Sequence, residues 1–259
     1  MIQDPTSTAL IRLEGVSKRF GPREVFKGIT LDFHRGETAV VLGASGVGKS
    51  VLLKLVLGLL RPDAGRVFFD GADTTALTET AMGPFRTRCG MLFQGAALFD
   101  FLTVFENVAF ALREHKRLPE DEVRRIVAAK LALVDMAGTE EMLPEQLSGG
   151  MRKRVGLARA IAIDPEVILY DEPTTGLDPV TADTINELIL RCQRELKTTS
   201  IVVTHDMASA FKVGGRLVML YEGQVIADGT PEAIRRHRDL RVQRFIHGDA
   251  GLQAVPEGV

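Results

Sequence analysis

Cysteine is scarce in this chain, which has only Cys89 and Cys192 among its 259 residues. Neither has a second cysteine or a histidine at the spacing of metal ligands, so no cysteine-based metal site is indicated. A chain of this length also buries enough apolar surface to fold without a disulfide. We therefore expect two buried thiols in a reducing compartment.

The chain also lacks an excess of positive charge. Its 32 lysines and arginines stand against 34 acidic residues, and the formal net charge is −2. No overall basic field is present to hold nucleic acid, although a local basic face stays open. Hydrophobic residues make up 45% of the sequence, which excludes a disordered chain and allows a packed core. One large domain or two closely packed lobes are expected.

A targeting segment and a membrane span are missing as well. The start, "MIQDPTST", has neither a basic beginning nor an apolar run, so we expect no signal peptide. The most apolar long stretch, residues 39–60, contains Lys49, Lys54 and several glycines and is unsuited to span a bilayer. No internal repeat or low-complexity segment is visible. These observations predict a soluble, cytoplasmic protein.

The first third of the chain has the hydrophobic pattern of strands. "ALIRLEGV" and "ITLDF" alternate, and "TAVVLG" is a continuous apolar run typical of a buried parallel strand. A helix is predicted from about Lys49 to Leu60, ended by Pro62. "GRVFFDG" predicts one more short strand.

The middle of the chain is predicted to be helical. Thr103 and Glu106 have the spacing of a capping box at the start of one helix. Pro119 is expected to be the first residue of a second helix. Ser148 is expected to cap a third helix, "GGMRKRVGLARAIAI", which ends before Asp164-Pro165.

The last third returns to alternating strands and helices. "EVILYDE" and "TSIVVTH" predict strands, and Asp178-Pro179 opens a helix between them. "RLVMLYEGQVIADG" predicts a hairpin that turns at Glu222-Gly223, and a short helix follows Pro231. The whole pattern predicts an α/β core interrupted by a helical lobe near residues 95–160.

One glycine-rich segment has the form of a phosphate loop. "GASGVGKS", Gly43 to Ser50, matches G-x-x-x-x-G-K-[ST] and lies between a buried strand and a helix, as the motif requires. Its glycines let successive N–H groups face an anion, and the helix start adds positive potential. Lys49 is expected to supply a charge for the β- and γ-phosphates, and Ser50 can serve as a ligand for Mg²⁺.

Polar residues follow three other predicted strands. Asp171 ends "VILYD" and is expected to hold Mg²⁺ directly or through water, while Glu172 is placed to polarise an attacking water as general base. His205 either reaches a γ-phosphate or has a structural role. Gln94 either contacts Mg²⁺ or water, or simply starts a loop.

A second candidate anion site lies about a hundred residues beyond the first. In "LSGGMRKR", Ser148, Gly149 and Gly150 begin a basic helix, so their N–H groups and the serine hydroxyl form a possible second pocket. The alternative is an ordinary capped helix start.

The motifs occur in a family's order and spacing: "GASGVGKS", Gln94, "LSGGM", "VILYDEP", "TTGLDP" and "VVTHD". On these residues the chain resembles the nucleotide-binding subunit of ABC transporters. The resemblance implies a P-loop NTPase core with a mixed or parallel sheet, an antiparallel β subdomain and an inserted helical subdomain. It further implies one ATPase domain over residues 1–247, with the core at about 8–94 and 162–232, the helical subdomain at about 95–161 and a C-terminal extension over 233–259.

The same resemblance implies ATP and Mg²⁺ as cofactors and a head-to-tail homodimer, in which the "LSGG" of one copy faces the ATP of the other. The implied catalytic residues are Lys49, Gln94, Glu172 and His205. The implied magnesium ligands are Ser50, Gln94 and Asp171. The implied nucleotide contacts are Phe20, Gly43, Ala44, Ser45, Gly46, Val47, Gly48, Lys49, Ser50, Val51, Ser148, Gly149, Gly150 and Asp178.

Some of these positions have a second interpretation or depart from the family pattern. Phe20 stands where the family places a ring on adenine, a stack that contributes about 1–3 kcal/mol, or it belongs to the core. Asp178 lies in the loop that crosses the dimer interface, caps the next helix, or does both. Met151 and Val51 replace a more usual glutamine and threonine, which removes a polar contact to the partner's nucleotide and a hydroxyl near the phosphates.

A narrower resemblance concerns the cargo. "FQGAALFDFLTVFENVAFALREH", "GKSVLLK" and "LSGGMRKRVGLARAIA" are similar to the ATPases of Mla-type lipid transporters. These ATPases work with a permease and an MCE-domain protein at the cytoplasmic face of the inner membrane, so the resemblance implies the same partners and a peripheral location here. Whether a small regulatory subunit also binds is left open. The alternatives are an importer ATPase for a small polar solute and a soluble ABC ATPase of DNA maintenance or translation.

Two further segments keep two interpretations each. The apolar cluster Leu98, Phe99, Phe101, Leu102 and Phe105 is either core or part of a groove for a permease helix. The tail "RVQRFIHG" either resembles the short C-terminal extension of that subgroup or is a solvated helix.

Overall fold

The structure, a computed structural model, describes residues 9–249. Within this range the strands are β1 Ile11–Phe20, β2 Arg23–Phe33, β3 Thr38–Leu42, β4 Ala64–Phe69, β5 Ala72–Asp73, β6 Cys89–Leu92, β7 Val167–Asp171, β8 Thr199–Thr204, β9 Arg216–Tyr221 and β10 Gln224–Gly229. The helices are α1 Lys49–Val56, α2 Glu79–Arg86, α3 Val104–His115, α4 Glu120–Leu133, α5 Gly149–Ala160, α6 Pro179–Leu196, α7 Met207–Val213, α8 Pro231–Arg235 and α9 Leu240–His247.

A six-stranded mixed sheet forms the centre of the fold, in the order β10-β9-β3-β8-β7-β6. Strands β9, β3, β8, β7 and β6 run parallel to their neighbours, and β10 returns antiparallel to β9. The β9–β10 turn is at Glu222 and Gly223, whose φ values of 47° and 80° suit a two-residue hairpin loop. The predicted hairpin is therefore confirmed.

A second sheet, antiparallel and in the order β2-β1-β4-β5, covers one face of the first. Alternate residues of β3 show the layering, because strand side chains point to opposite faces in turn. Ala39 and Val41 belong to the core shared with the antiparallel sheet. Val40 and Leu42 belong to the core on the other face, where the helices pack. This arrangement confirms the predicted fold class of an α/β core with an antiparallel sheet and inserted helices.

The helices inserted between β6 and β7 begin where the sequence predicts caps. Thr103 accepts from the N–H of Glu106, and the Glu106 carboxylate accepts from the N–H of Thr103, so the capping box before α3 is present. Ser148 accepts from the N–H of Met151 and starts α5. The apolar faces of α3, α4 and α5 join the core on the helical side of the mixed sheet.

Three predicted helix boundaries are wrong by a few residues. Helix α1 ends at Val56 rather than at Leu60, because Gly58 takes a left-handed φ of 62° and stops the helix before Pro62 is reached. Helix α5 ends at Ala160, before the apolar residues that precede Asp164. Pro119 is the residue that caps α4, one position before the first helical residue.

The end of the described chain packs onto the core. Helix α9 buries Val242 completely, and Phe245 and Ile246 pack partly against the helical-side core. The interpretation of the tail "RVQRFIHG" as a solvated helix is therefore wrong, while residues 250–259 of the predicted extension lie outside the described range. Cys192 is buried and Cys89 is partly buried. Between residues 9 and 249, every helix is too short or too polar to cross a membrane.

Candidate active site

Four neighbouring parallel strands end at one edge of the mixed sheet and bring the predicted site residues together. The phosphate loop follows β3, His205 follows β8, and Asp171 ends β7 with Glu172 next to it. Gln94 lies two residues beyond the end of β6. Because the order in the sheet is β3-β8-β7-β6, segments that are far apart in sequence become neighbours. Ligands of open parallel sheets bind at this carboxyl edge.

The phosphate loop leads into a helix start whose amides have no side-chain cap. Gly48 precedes α1 with a φ of 115°, and no side chain accepts from the first N–H groups. A Cβ atom on Gly48 would lie 2.5 Å from Val25 Cγ1, so only glycine fits between the loop and β2. Uncapped amides at a helix start are ready to donate to an anion.

Lys49 is buried beneath the loop. Its Nζ donates to the carbonyl oxygens of Gly43 at 2.7 Å and Ala44 at 3.2 Å. The same atom lies 3.2 Å from Glu172 Oε1, with the two side chains only 5% and 10% exposed. The ammonium group is therefore fixed at the floor of the loop by both the loop and the end of β7.

The Glu172 carboxylate is held from two sides. Its Oε2 is 2.9 Å from His205 Nδ1 and accepts from Thr175 Oγ1 at 3.2 Å. Burial would raise the pKa of this carboxyl, but the hydrogen bond with His205 and the charge of Lys49 outweigh burial and lower the pKa below its ordinary value. Glu172 is thus ionised at neutral pH and able to accept a proton.

Asp171 and Ser50 form a second polar pair at the same edge. Ser50 Oγ donates to Asp171 Oδ1 at 2.8 Å. Burial raises the pKa of Asp171, the hydrogen bond from Ser50 opposes that change, and the charge of Glu172 adds to it. Adjacent carboxylates therefore differ in their electrostatic environment, since one faces a lysine and a histidine and the other faces a hydroxyl.

These groups surround a cavity of about 380 Å³, within the size range of ligand pockets. Its lining is Phe20, Arg23, Val25, Ser45, Gly46, Gly48, Lys49, Ser50, Val51, Gln94, Glu172 and His205. Phe20 is 45% exposed, so its interpretation as a core residue is wrong. The other loop residues face elsewhere: Val47 packs against the core under the antiparallel sheet, and Ala44 contributes its carbonyl to Lys49.

The second candidate anion site is separate from this cavity. Ser148, Gly149 and Gly150 are absent from its lining. Ser148 Oγ accepts from the N–H of Met151 at 3.2 Å. The first intrahelical bond of α5 is donated by the N–H of Arg152, so the amides of Gly149 and Gly150 come before both of these bonds. Asp178 caps α6 by accepting from the N–H groups of Val180 and Thr181, so its predicted capping role is confirmed.

Sequence reasoning missed several residues of the site. Arg23 and Val25 lie on β2 and line the cavity, and the Arg23 guanidinium donates to the carbonyl of Gly46. Lys153, inside α5, donates to the carbonyls of Gln94 and Glu172. No spacing rule connects these positions with a phosphate loop, because their contacts arise from tertiary packing. The sequence offers one signal for the role of Lys153, which is a charged residue on an otherwise buried face of α5.

A phosphate loop, a buried lysine and an ionised glutamate next to a histidine, all at one edge of a parallel sheet, define a P-loop nucleoside triphosphatase. Residues 26–175 match the family described as ABC transporter. The chain belongs to this family, as an ATP-binding subunit that hydrolyses ATP.

Curated relatives and solved structures agree on the family, and the names of the relatives differ in the transported compound. The MlaF protein of Haemophilus influenzae, named an intermembrane phospholipid transport system ATP-binding protein, is 41% identical over 93% of this chain and 91% of its own length. A Mycobacterium leprae protein named a probable ribonucleotide transport ATP-binding protein is 41% identical over 92% of this chain and 69% of its own. The dimeric structure of the cassette MJ0796 with ADP and Pi is 32% identical, with a TM-score of 0.78 over 85% of this chain and 98% of that one.

The raised pKa of Asp171 gives a testable change in stability. A folded-state pKa above the ordinary 3.8 means that the folded chain binds the proton more tightly than the unfolded chain, so stability falls as pH rises through that range. Asp171→Asn keeps an acceptor for Ser50 and removes the charge. We expect a higher urea midpoint than the parent at about pH 7.5 and a shrinking difference towards about pH 4.

The control for this measurement is the exposed Asp100, whose change to Asn should shift stability by less than about 0.5 kcal/mol. Both variants are measured without nucleotide. An Asp171→Asn variant that is less stable than the parent at neutral pH would contradict the expectation.

Proposed function

We propose that two copies of this chain sandwich two ATP molecules and power a permease that moves phospholipid between membranes, together with an MCE-domain protein. The observation that carries this proposal is the similarity to MlaF, which extends over 93% of the chain and nearly the whole relative. The proposal divides the chain into a core over about residues 8–94 and 162–232, a helical subdomain over about 95–161 and a C-terminal extension from 233. The proposal also places the chain peripherally at the cytoplasmic face of the inner membrane.

In the proposed reaction Glu172 is the general base. Its carboxylate is ionised and fixed, so it can take a proton from the water that attacks the γ-phosphate. Lys49 faces the β- and γ-phosphates, and the amides of residues 43–51 enclose them. His205 contacts the γ-phosphate from the end of β8, and its bond to Glu172 orients the base. Phe20, half-exposed at the mouth of the cavity, stacks on the adenine.

The donor set next to Glu172 fits Mg²⁺. Ser50 and Asp171 present oxygens 2.8 Å apart, and among residues 9–249 no cation forms a salt bridge with the buried Asp171 carboxylate. Mg²⁺ prefers one or two carboxylates together with substrate phosphates and water to a cage made of protein. We assign Ser50, Asp171 and Gln94 to this ion, which would neutralise charge on the β- and γ-phosphate oxygens.

The separation of the two candidate anion sites supports the proposed sandwich. The amides of Gly149 and Gly150 at the start of α5, with Ser148, would donate to the γ-phosphate held by the other copy. Asp178, beside them at the start of α6, would cross the interface. The dimeric cassette structure with ADP and Pi supports this arrangement, because the two folds superpose over most of both chains.

The proposed docking surface for the permease is a group of exposed phenylalanines, Phe99, Phe101 and Phe110. Phe101 is 80% exposed, and the Phe99 ring makes tilted contacts with the rings of Phe101 and Phe110, whose centroids are 6.0 and 4.9 Å away. An exposed aromatic patch marks a contact with a partner. Two residues of the apolar cluster that the sequence predicts, Phe99 and Phe101, are exposed, so its interpretation as core is wrong for them. Leu98 and Phe105 of the same cluster do pack partly against the core.

A second candidate cargo is a small polar solute. The name of the Mycobacterium leprae relative, at the same 41% identity, favours a ribonucleotide. The longer coverage of MlaF favours the phospholipid, and both cargoes use the same ATPase site.

The first test concerns the general base. Glu172→Gln removes the proton acceptor but keeps a similar shape, so hydrolysis should fall by about 10²–10⁴-fold while ATP still binds. Hydrolysis is followed by phosphate release and binding by a fluorescent ATP analogue. Near-normal turnover by this variant would remove Glu172 from the role.

The second test concerns the sandwich. Ser148→Arg places a bulky side chain at the start of α5, outside the cavity of its own copy, so it should abolish hydrolysis and leave ATP binding by the single chain unchanged. Dimer formation is measured in the Glu172→Gln background with ATP, by light scattering. If activity is unchanged, Ser148 is only a helix cap.

The third test concerns partner and cargo. The intact complex is purified from membranes and its lipids and proteins are identified by mass spectrometry; we expect a permease, an MCE-domain protein and bound phospholipid. The Phe101→Asp variant should no longer co-purify with the permease but should retain basal ATP hydrolysis. The control Leu59→Asp, at another exposed apolar residue, should retain both permease binding and hydrolysis. A bound ribonucleotide with no MCE-domain protein would favour the second candidate.

A further inference from the structure

Lys153 is a buried cation inside helix α5. It is 5% exposed, and its Nζ donates to the main-chain carbonyl of Gln94 and, at 3.2 Å, to that of Glu172. Burial lowers the pKa of Lys153, and the charges of Asp171 and Glu172 oppose that change. A methionine of the same length would fill this space without the cost of burying a charge. Packing alone therefore does not account for a lysine here.

The bond to Glu172 acts on an unusual main-chain conformation. Glu172 has a φ of 48°, in the left-handed region that residues with a side chain seldom adopt. Its N–H donates to the carbonyl of Val203 at 2.9 Å, and its own carbonyl accepts from Lys153 at 3.2 Å and from the N–H of Thr175 at 3.3 Å. Such conformations persist where surrounding contacts over-determine them. Without Lys153, the Glu172 carbonyl would keep only the bond from the Thr175 N–H, so the left-handed main chain that carries the carboxylate would be held less firmly against helix α5.

The bond to Gln94 belongs to a wider set from the same helix. Arg159, also on α5, donates to the carbonyls of Ala96 and Ala97 at 2.7 and 2.6 Å. Ala96 and Ala97 both have positive φ, 61° and 48°. Helix α5 therefore fixes the loop after β6 through two side chains, and Lys153 extends this attachment to the end of β7.

We propose that Lys153 is a positioning residue for ATP hydrolysis, which holds the main chain of Glu172 and Gln94 in register with helix α5. The inference rests on the role proposed above for Glu172. Because α5 begins at Ser148, which faces the other copy's ATP in the proposed sandwich, Lys153 ties the base of one composite site to the helix that completes the second.

The test compares Lys153→Met, Lys153→Arg and the control Lys130→Met. Lys130 is also a buried lysine of the helical lobe, but it pairs with Asp164, away from the cavity. Lys153→Met should lower kcat by about 10- to 100-fold, the effect of a small misplacement of reacting groups, with the KM for ATP changed less than about twofold. Lys130→Met should leave kcat unchanged at a temperature where thermal melts show both proteins folded.

Two readouts separate positioning from packing. Lys153→Arg keeps a cationic donor and should recover most of the lost activity, whereas a pure packing effect would make the bulkier arginine worse than methionine. In the Glu172→Gln background, Lys153→Met should lower the residual rate by less than about twofold, since residues that act through one another are not additive.

The outcomes distinguish the two proposals. Normal hydrolysis by Glu172→Gln would overturn the role of the base. An inactive Glu172→Gln variant together with a fully active Lys153→Met variant would overturn the role of Lys153 alone, as would an equal loss from Lys153→Met in both backgrounds.

Discussion

Lys49 and Glu172 carry opposite charges 3.2 Å apart and almost out of contact with water. Moving two charges out of water costs several kcal/mol each, which their attraction offsets only when the other hydrogen-bonding positions are also filled. Here two loop carbonyls fill those of Lys49, and His205 and Thr175 fill those of Glu172. The partners come from the ends of β3, β7 and β8, so the buried pair can exist only if these strands lie side by side and parallel.

The two cores on either side of the mixed sheet supply that condition. Continuous apolar strands such as β3 and β7 bury residues on both faces, one against the antiparallel sheet and one against the helices. This burial fixes the strand ends relative to one another, because a shift of one residue would exchange the two faces. The polar edge, with its buried charges and its left-handed Glu172, depends on the apolar layers for its geometry.

The parts of the fold that could be predicted from sequence are those with a local cause. Four features are determined by residues next to one another in the sequence: the glycine spacing of the phosphate loop, the capping box at Thr103, the cap at Asp178 and the turn at Glu222. The end of α1 also has a local cause, because Gly58 with its left-handed φ stops the helix before Pro62 is reached. Arg23 and Lys153 could not be predicted, because each bonds to main-chain carbonyls of a segment far away in sequence.

Helix α5 connects these observations. Its first residues form the second candidate anion site, its apolar face lies in the helical-side core, and its cations reach the main chain at the ends of β6 and β7. A helix with contacts to all of these segments holds them in fixed positions relative to one another, since packed interiors are dense and resist deformation. The two candidate anion sites, although far apart along the chain, are thus connected physically, because the helix that begins at one bonds to the main chain of Gln94 and Glu172 at the other.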